Sequence, residues 1–264
     1  QINKIIIKKK GYNNMSEVSY TTEIVELPSK GIPYPKDNPL SKGTVEMKYM
    51  TAKHEDILTN QSYIKQGVVL DKLFQELIVT DVNYDDLLLC DKNAIMIAAR
   101  IMGYGKEYKT KVTTPSGNEQ EVTINLTELK EREVDWDYYT DGENEFSMEL
   151  PTSKVEIKFR LLTHGIQKKI EAETKAMKKL NKVTPTTTLL KYLITEVNGS
   201  REEKDIRKFV DNMLAIDSSS LRATIKLITP DIDLNVEVLD QESGDMFHTS
   251  FTIGLDFFWP DVEV

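Results

Sequence analysis

Apolar residues in this 264-residue chain change period several times along its length, from every second position to every third or fourth and back again. A chain that switches between strand and helix periods in this way forms neither a pure bundle nor a pure sandwich, so it is read as α+β. Val45, Met47 and Tyr49 alternate with Glu46, Lys48 and Met50, the pattern of a half-buried strand. Thr51 offers an N-cap hydroxyl ahead of Ala52-Lys53-His54-Glu55 and predicts a short helix fading near Asn60. Val69, Leu70, Leu73, Phe74, Leu77 and Ile78 return at helical spacing with Asp71, Lys72, Gln75 and Glu76 opposite, which predicts a surface helix with one buried face. Residues 91–102, with Asp91 as cap, leave almost no polar face and predict a central helix ended by Gly103 and Gly105. Two alternating runs, 108–112 and 122–126, flank Pro115-Ser116-Gly117-Asn118 and read as a ribbon-like hairpin.

The second part begins with strand patterns at 145–149 and 154–162, separated by Pro151. Four helical patterns follow, marked by Ile166, Ile170, Met177 and Leu180, then by Leu189 through Val197 with Gly199 closing, then by Ile206, Phe209 and Val210, then by Leu221, Ile225 and Ile228. Asp217 or Ser218 caps the last of these and Pro230 stops it, and the short linkers favour a compact helical bundle. Ile232, Leu234, Val236 and Val238 alternate again, and Phe247, Thr249, Phe251 and Ile253 return beyond Gly244 as a C-terminal β-hairpin.

The chain therefore divides into an N-terminal α+β domain over 15–130, a linker loop over 131–144, and a four-helix block flanked by strands over 145–264, with room for two cores. Residues 1–14 read as a non-native or disordered leader. Gln1 is no start residue, and Lys9, Lys10 and Gly11 are written by purine-rich codons where a ribosome-binding tract would precede a start at Met15.

Chemistry is scarce. No phosphate loop, dinucleotide fingerprint, nucleophile elbow or metalloprotease helix occurs, so no catalytic, cofactor or metal residue is assigned. One cysteine makes no internal disulfide, and Cys90, next to Leu87-Leu88-Leu89, reads as a small apolar side chain. Asp85, Asp86 and Asp91 read as capping groups rather than a cation loop, and His54, His164 and His248 fall in three separate elements. The lysine run from Lys168 to Lys182 is broken by Glu171 and Glu173 and reads as a solvated helix face. A net charge of −9 argues against nucleic acid, and no apolar run reaches the ~20 residues that span a bilayer. No small-molecule substrate is implied, so protein partners remain.

Two segments suit such partners. Pro28, Pro33, Pro35 and Pro39 with Gly31 prevent regular structure over 27–42, leaving an arm that gains order by lying on a surface. Phe257-Phe258-Trp259-Pro260 either closes the chain's own last core or offers a partner contact. Leu27, Pro28, Tyr34, Pro35, Phe257, Phe258, Trp259 and Pro260 are the candidate interaction residues.

Leu27-Pro28-Ser29-Lys30-Gly31, Tyr34-Pro35 and the run from Val45 to Lys53 with Glu55-Asp56-Ile57-Leu58 resemble the N-terminal signature of baseplate hub proteins of T-even-type contractile-tailed phages. Gly67-Val68-Val69-Leu70-Asp71, Asp91-Lys92-Asn93-Ala94, Ala98-Ala99-Arg100, Gly103-Tyr104-Gly105 and the closing Phe257-Phe258-Trp259-Pro260 extend the resemblance, densely in the first half and sparsely in the helical block. It implies a structural or assembly component of the baseplate hub that contacts other tail and baseplate proteins, in the host cytoplasm during assembly and then in the virion tail. Where the family pattern carries a Cys-Pro-x-Cys-Gly knuckle at the hairpin turn, this chain has Thr114-Pro115-Ser116-Gly117-Asn118, and the turn at Gly244 also lacks cysteine, so no zinc is implied. A transient assembly chaperone absent from the virion, and a degenerate zinc-ribbon nucleic-acid adaptor, are the alternative readings.

Overall fold

The computed structural model describes residues 7–9, 21–182 and 184–258. The proposed leader and the start at Met15 lie outside these residues, except for β1 (Ile7–Lys9), whose backbone pairs antiparallel with β2 (Thr22–Glu26). On its other side β2 pairs with β3 (Thr44–Lys48), placing Val25 opposite Val45, and the alternation sends Val25, Val45 and Met47 into the core. α1 (Ala52–Leu58), α2 (Gln61–Gln66) and α3 (Val69–Leu77) follow. Apolar spacing does not signal α2, but its ends do: Asn60 accepts the N–H groups of Ser62 and Tyr63, and Gly67 closes the helix in the left-handed conformation (φ 72).

α1 begins as Thr51 predicts, with an unusual partner at its third position. The Thr51 N–H donates to His54 Nδ1 at 2.9 Å while the His54 N–H donates to the Thr51 carbonyl at 2.8 Å, so an imidazole takes the place of the usual Glu in a capping box. Burial and the nearby Lys48 hold the His54 pKa below its ordinary 6.5. Below pH 6.5 the unfolded chain therefore binds a proton that the folded chain refuses, and stability falls as pH is lowered. His54→Gln should flatten that part of the pH-stability curve, read by urea unfolding between pH 5 and 8, and should cost about 1 kcal/mol of cap at neutral pH.

α4 (Leu89–Tyr104) is buried almost all round and leads to the hairpin β4 (Glu107–Thr113) and β5 (Glu119–Asn125). After residues 126–145, β6 (Phe146–Glu149) pairs with β7 (Glu156–Phe159). α5 (His164–Lys179), α6 (Pro185–Leu193), β8 (Ile194–Val197), α7 (Glu203–Asp211) and α8 (Ala215–Ile228) come next, and β9 (Asn235–Leu239) with β10 (Met246–Ser250) makes the last hairpin. The chain is thus mixed α+β with small antiparallel sheets.

Four expectations are corrected. The second helix of the block stops at Leu193 rather than running to Val197, because Ile194 and Val197 are β-branched and join the open edge of β7, Ile194 opposite Phe159. The four helices consequently share a three-stranded sheet instead of forming a bundle on their own. Asp91 and Asp217 are not N-caps, since each lies on the third residue of a helix that starts at Leu89 or Ala215. The two expected cores are joined, for buried side chains from Val25 to Phe258 form one continuous cluster.

The structure also reveals a repetition. Strand, Leu-Pro turn, strand, helices, a short β contact, long helix and hairpin occur once over residues 22–125 and again over 146–250, the second time with α7 added before the long helix. Local sequence follows the same order: Glu26-Leu27-Pro28-Ser29-Lys30 and Glu149-Leu150-Pro151-Thr152-Ser153-Lys154, then Val45-Glu46-Met47-Lys48-Tyr49 and Val155-Glu156-Ile157-Lys158-Phe159. Lys30 and Lys154 both sit at positive φ, 53° and 58°. Leu77-Ile78 and Leu193-Ile194 return the chain to β3 and β7, and Leu88 and Leu214 each stand three residues before the buried aspartate. The two hairpins lie side by side, with Gln120 Nε2 donating to the Leu239 carbonyl at 2.7 Å and Asn118 Nδ2 to Glu242 at 2.8 Å.

Candidate functional site

The proline-rich arm is ordered by the helix beneath it. Its prolines remove amide donors, so it cannot build a ladder, but a buried carboxylate can collect the donors that remain. Asp91 accepts the Ser29 N–H at 3.0 Å, the Ser29 hydroxyl at 2.7 Å and the Tyr34 hydroxyl at 2.7 Å. The Tyr34 oxygen in turn accepts the Leu88 N–H at 2.9 Å, satisfying an amide that the start of α4 leaves unpaired. Burial pushes the Asp91 carboxyl up to about 6, against the pull of Tyr34 and Ser29. Gly31 and Gly43 close the base of the arm, where a Cβ on Gly31 would lie 2.5 Å from the Gly43 nitrogen.

The second half repeats the device. Asp217, on the third residue of α8, accepts the N–H groups of Thr152 and Ser153 at 2.9 and 3.0 Å and so holds the turn between β6 and β7. Burial works upward on this carboxyl, yet the Ser153 and Thr152 bonds outweigh it and keep the pKa below the ordinary carboxylate value. Asp217→Ala should free that turn, and amide exchange at Thr152 and Ser153 should accelerate while β4 and β5 keep their protection.

Between the halves, Asp71 of α3 meets His164 Nε2 at 3.3 Å and Lys92 Nζ at 3.0 Å, and Lys92 Nζ lies 3.3 Å from His164 Nδ1. The Tyr84 ring packs on the imidazole at 4.6 Å. Burial would raise the Asp71 carboxyl, but His164 and Lys92 hold it low. Both imidazole nitrogens are engaged within the chain, so the cluster ties α3, α4 and α5 together and leaves neither nitrogen for a substrate. Cys90 is buried and its thiol is pushed up by that burial, the opposite of an activated nucleophile.

The candidate interaction residues divide sharply. Leu27, Pro28, Tyr34, Phe257 and Phe258 are buried, Pro35 is exposed, and Trp259 and Pro260 lie outside the described residues. Phe257 and Phe258 close the chain's own core, where Phe258 meets Phe74 edge-on at 5.7 Å and Phe257 meets Tyr108 at 4.8 Å. Arg100 Nε fixes them by donating to the Phe257 carbonyl at 2.9 Å. The arm lies on α4 rather than reaching outward, and Lys30, Pro35, Lys36 and Asp37 remain exposed along its outer edge. A cleft of about 520 Å³ runs beside it, lined by Pro28, Lys30, Lys130, Arg132, Trp136 and Pro230, with Lys30 Nζ 4.7 Å from the Trp136 ring centre.

Sequence reasoning missed the roles of Asp91, Asp217 and Arg100. The signal for the first two was the pairing of a Leu-Pro turn with a later Leu-x-x-Asp in each half. For Arg100 it was a charge standing alone within the apolar run from Ala94 to Met102, which a buried position requires to be paired.

Asp91, Asp217 and Arg100 are thus engaged in fixing segments of the chain itself, and no helix among the described residues is long and apolar enough to cross a membrane. The family described as T4 bacteriophage base plate protein matches residues 20–259, and the chain belongs to that family. It is a phage baseplate protein. No curated protein and no solved structure matches it.

Proposed function

We propose that this chain is a structural or assembly component of the baseplate hub and acts through protein–protein surfaces rather than by making or breaking bonds. Family membership across residues 20–259 carries the reading. The engagement of Asp71, Asp91, His164 and Asp217 within the chain supports it. Within the arm, the contact falls to the exposed edge at Pro35, Lys36 and Asp37, held from below by the Asp91 clasp. A loop already ordered before binding loses little conformational entropy on contact. Other tail and baseplate proteins are the partners, and the acidic balance of −9 disfavours nucleic acid.

Mixing the purified chain with hub proteins of the same phage should give a complex of fixed stoichiometry on size exclusion, weakened by Lys36→Glu. A chain that elutes alone in the presence of every hub protein would sink the reading. Mass spectrometry of finished tails distinguishes a resident subunit, which remains, from an assembly chaperone, which does not.

A further inference from the structure

The two halves meet through a contact whose counterparts are both left open. Residues leading into α4 pair with residues leading into α5: the Leu89 N–H donates to the Leu162 carbonyl at 3.0 Å, the His164 N–H donates to the Leu87 carbonyl at 2.8 Å, and Leu88 stands opposite Thr163. By the repetition, the start of α4 corresponds to the start of α8 and the start of α5 to the start of α1. An isologous contact would bury both counterparts as well. It does not: Leu214 is 47% exposed where Leu88 is 1%, and Ile216 is 61% exposed where Cys90 is 4%. Farther along α8, Leu227 is also exposed, and so is Ala223, where its counterpart Ile97 is fully buried. At the start of α1, Ala52 is exposed where its counterpart His164 of α5 is buried, and Thr51, Glu55 and Asp56 beside it are exposed as well.

The contact is therefore heterologous, using a different surface on each half and leaving one of each over. We propose that these two leftover surfaces meet between copies of the chain, head to tail, with the start and outer face of α8 of one copy seated on the start of α1 of the next. The charges fit, since Arg222 and Lys226 stand exposed on α8 and Glu55 and Asp56 on α1. Local attraction of this kind is what a chain of net charge −9 needs to approach itself. His54 already holds the Thr51 N–H, so the contact between copies rests on apolar packing and charge rather than on the backbone ladder.

Sedimentation velocity of the full chain from micromolar to several hundred micromolar tests the association, and crosslinking tests its geometry. The mass should rise with concentration, and Ile216→Glu should weaken association by about tenfold or more. Leu214→Cys chain mixed with Ala52→Cys chain should crosslink through a short bismaleimide, whereas neither should crosslink alone, the native Cys90 being buried. Should Ile216→Glu fail to fold, Arg222→Glu provides the same test on an exposed side chain, with recovery expected when the second copy carries Asp56→Arg. A monomer at every concentration overturns the proposal. So does a Leu214→Cys chain that crosslinks to itself, or a chain that stays monomeric while this face binds a different baseplate protein.

Discussion

Asp91→Ala should cost about 3–5 kcal/mol of stability, the range for removing one partner from a buried, charge-assisted cluster. Three donors of the arm would lose their acceptor at once: the Ser29 N–H, the Ser29 hydroxyl and the Tyr34 hydroxyl. None can reach water easily, because Ser29 is fully buried and Tyr34 is 4% exposed. Denaturant unfolding gives the loss, and limited proteolysis within residues 30–42 should become fast while the hairpin β4–β5 stays resistant. Asp91→Asn keeps the shape and one acceptor oxygen and should cost less, about 1–3 kcal/mol. The two variants also separate charge from contact. The folded carboxyl titrates near 6 against 3.8 in the unfolded chain, so between those values the folded state binds more protons and this group's contribution falls as pH rises. Asp91→Asn should remove that slope.

Phe258→Ala should cost a similar amount, about 3–5 kcal/mol, through the cavity left by a fully buried aromatic. Phe258 belongs by sequence to the second half, yet its ring packs on Phe74 of α3 and on Phe257 at 5.3 Å. The loss should therefore appear as a loosening of the first half, seen as faster amide exchange in α3 and α4. Phe258→Leu fills most of the space and should cost clearly less. Removing residues 255–264 should exceed the single substitution. It takes away both rings and the carbonyl that Arg100 Nε donates to, leaving a buried guanidinium whose Nη1 already lacks a partner.

Elements carried by apolar period or by cap chemistry were legible in the sequence. α3, α4 and both hairpins lie where the spacing of Val69 to Leu77, the apolar run from Ala94 and the Pro-Ser-Gly-Asn turn put them. The reading went astray where tertiary contacts decide. Ile194 to Val197 continue a helical pattern from Leu189, and only the open edge of β7 turns them into a strand. Asp91 and Asp217 satisfy every local criterion for an N-cap, and a carboxylate near a helix start is favoured by the dipole whether or not it caps. Which amides it takes depends on a turn 62 residues away for Ser29 and 65 for Thr152, a separation that no window of sequence spans. For the aromatic end the sequence leaves own-core closure and partner contact both open. Phe257 and Phe258 are as apolar as a docking patch, and their burial against Tyr108 and Phe74 is a property of the whole fold.

The most direct test of a role exercised through surfaces in the baseplate is quantitative mass spectrometry of isolated phage tails and of assembling baseplate intermediates. The chain should appear in one or both at a fixed whole-number ratio to its neighbours. Its absence from both, with the protein abundant in the infected cell, would contradict the account.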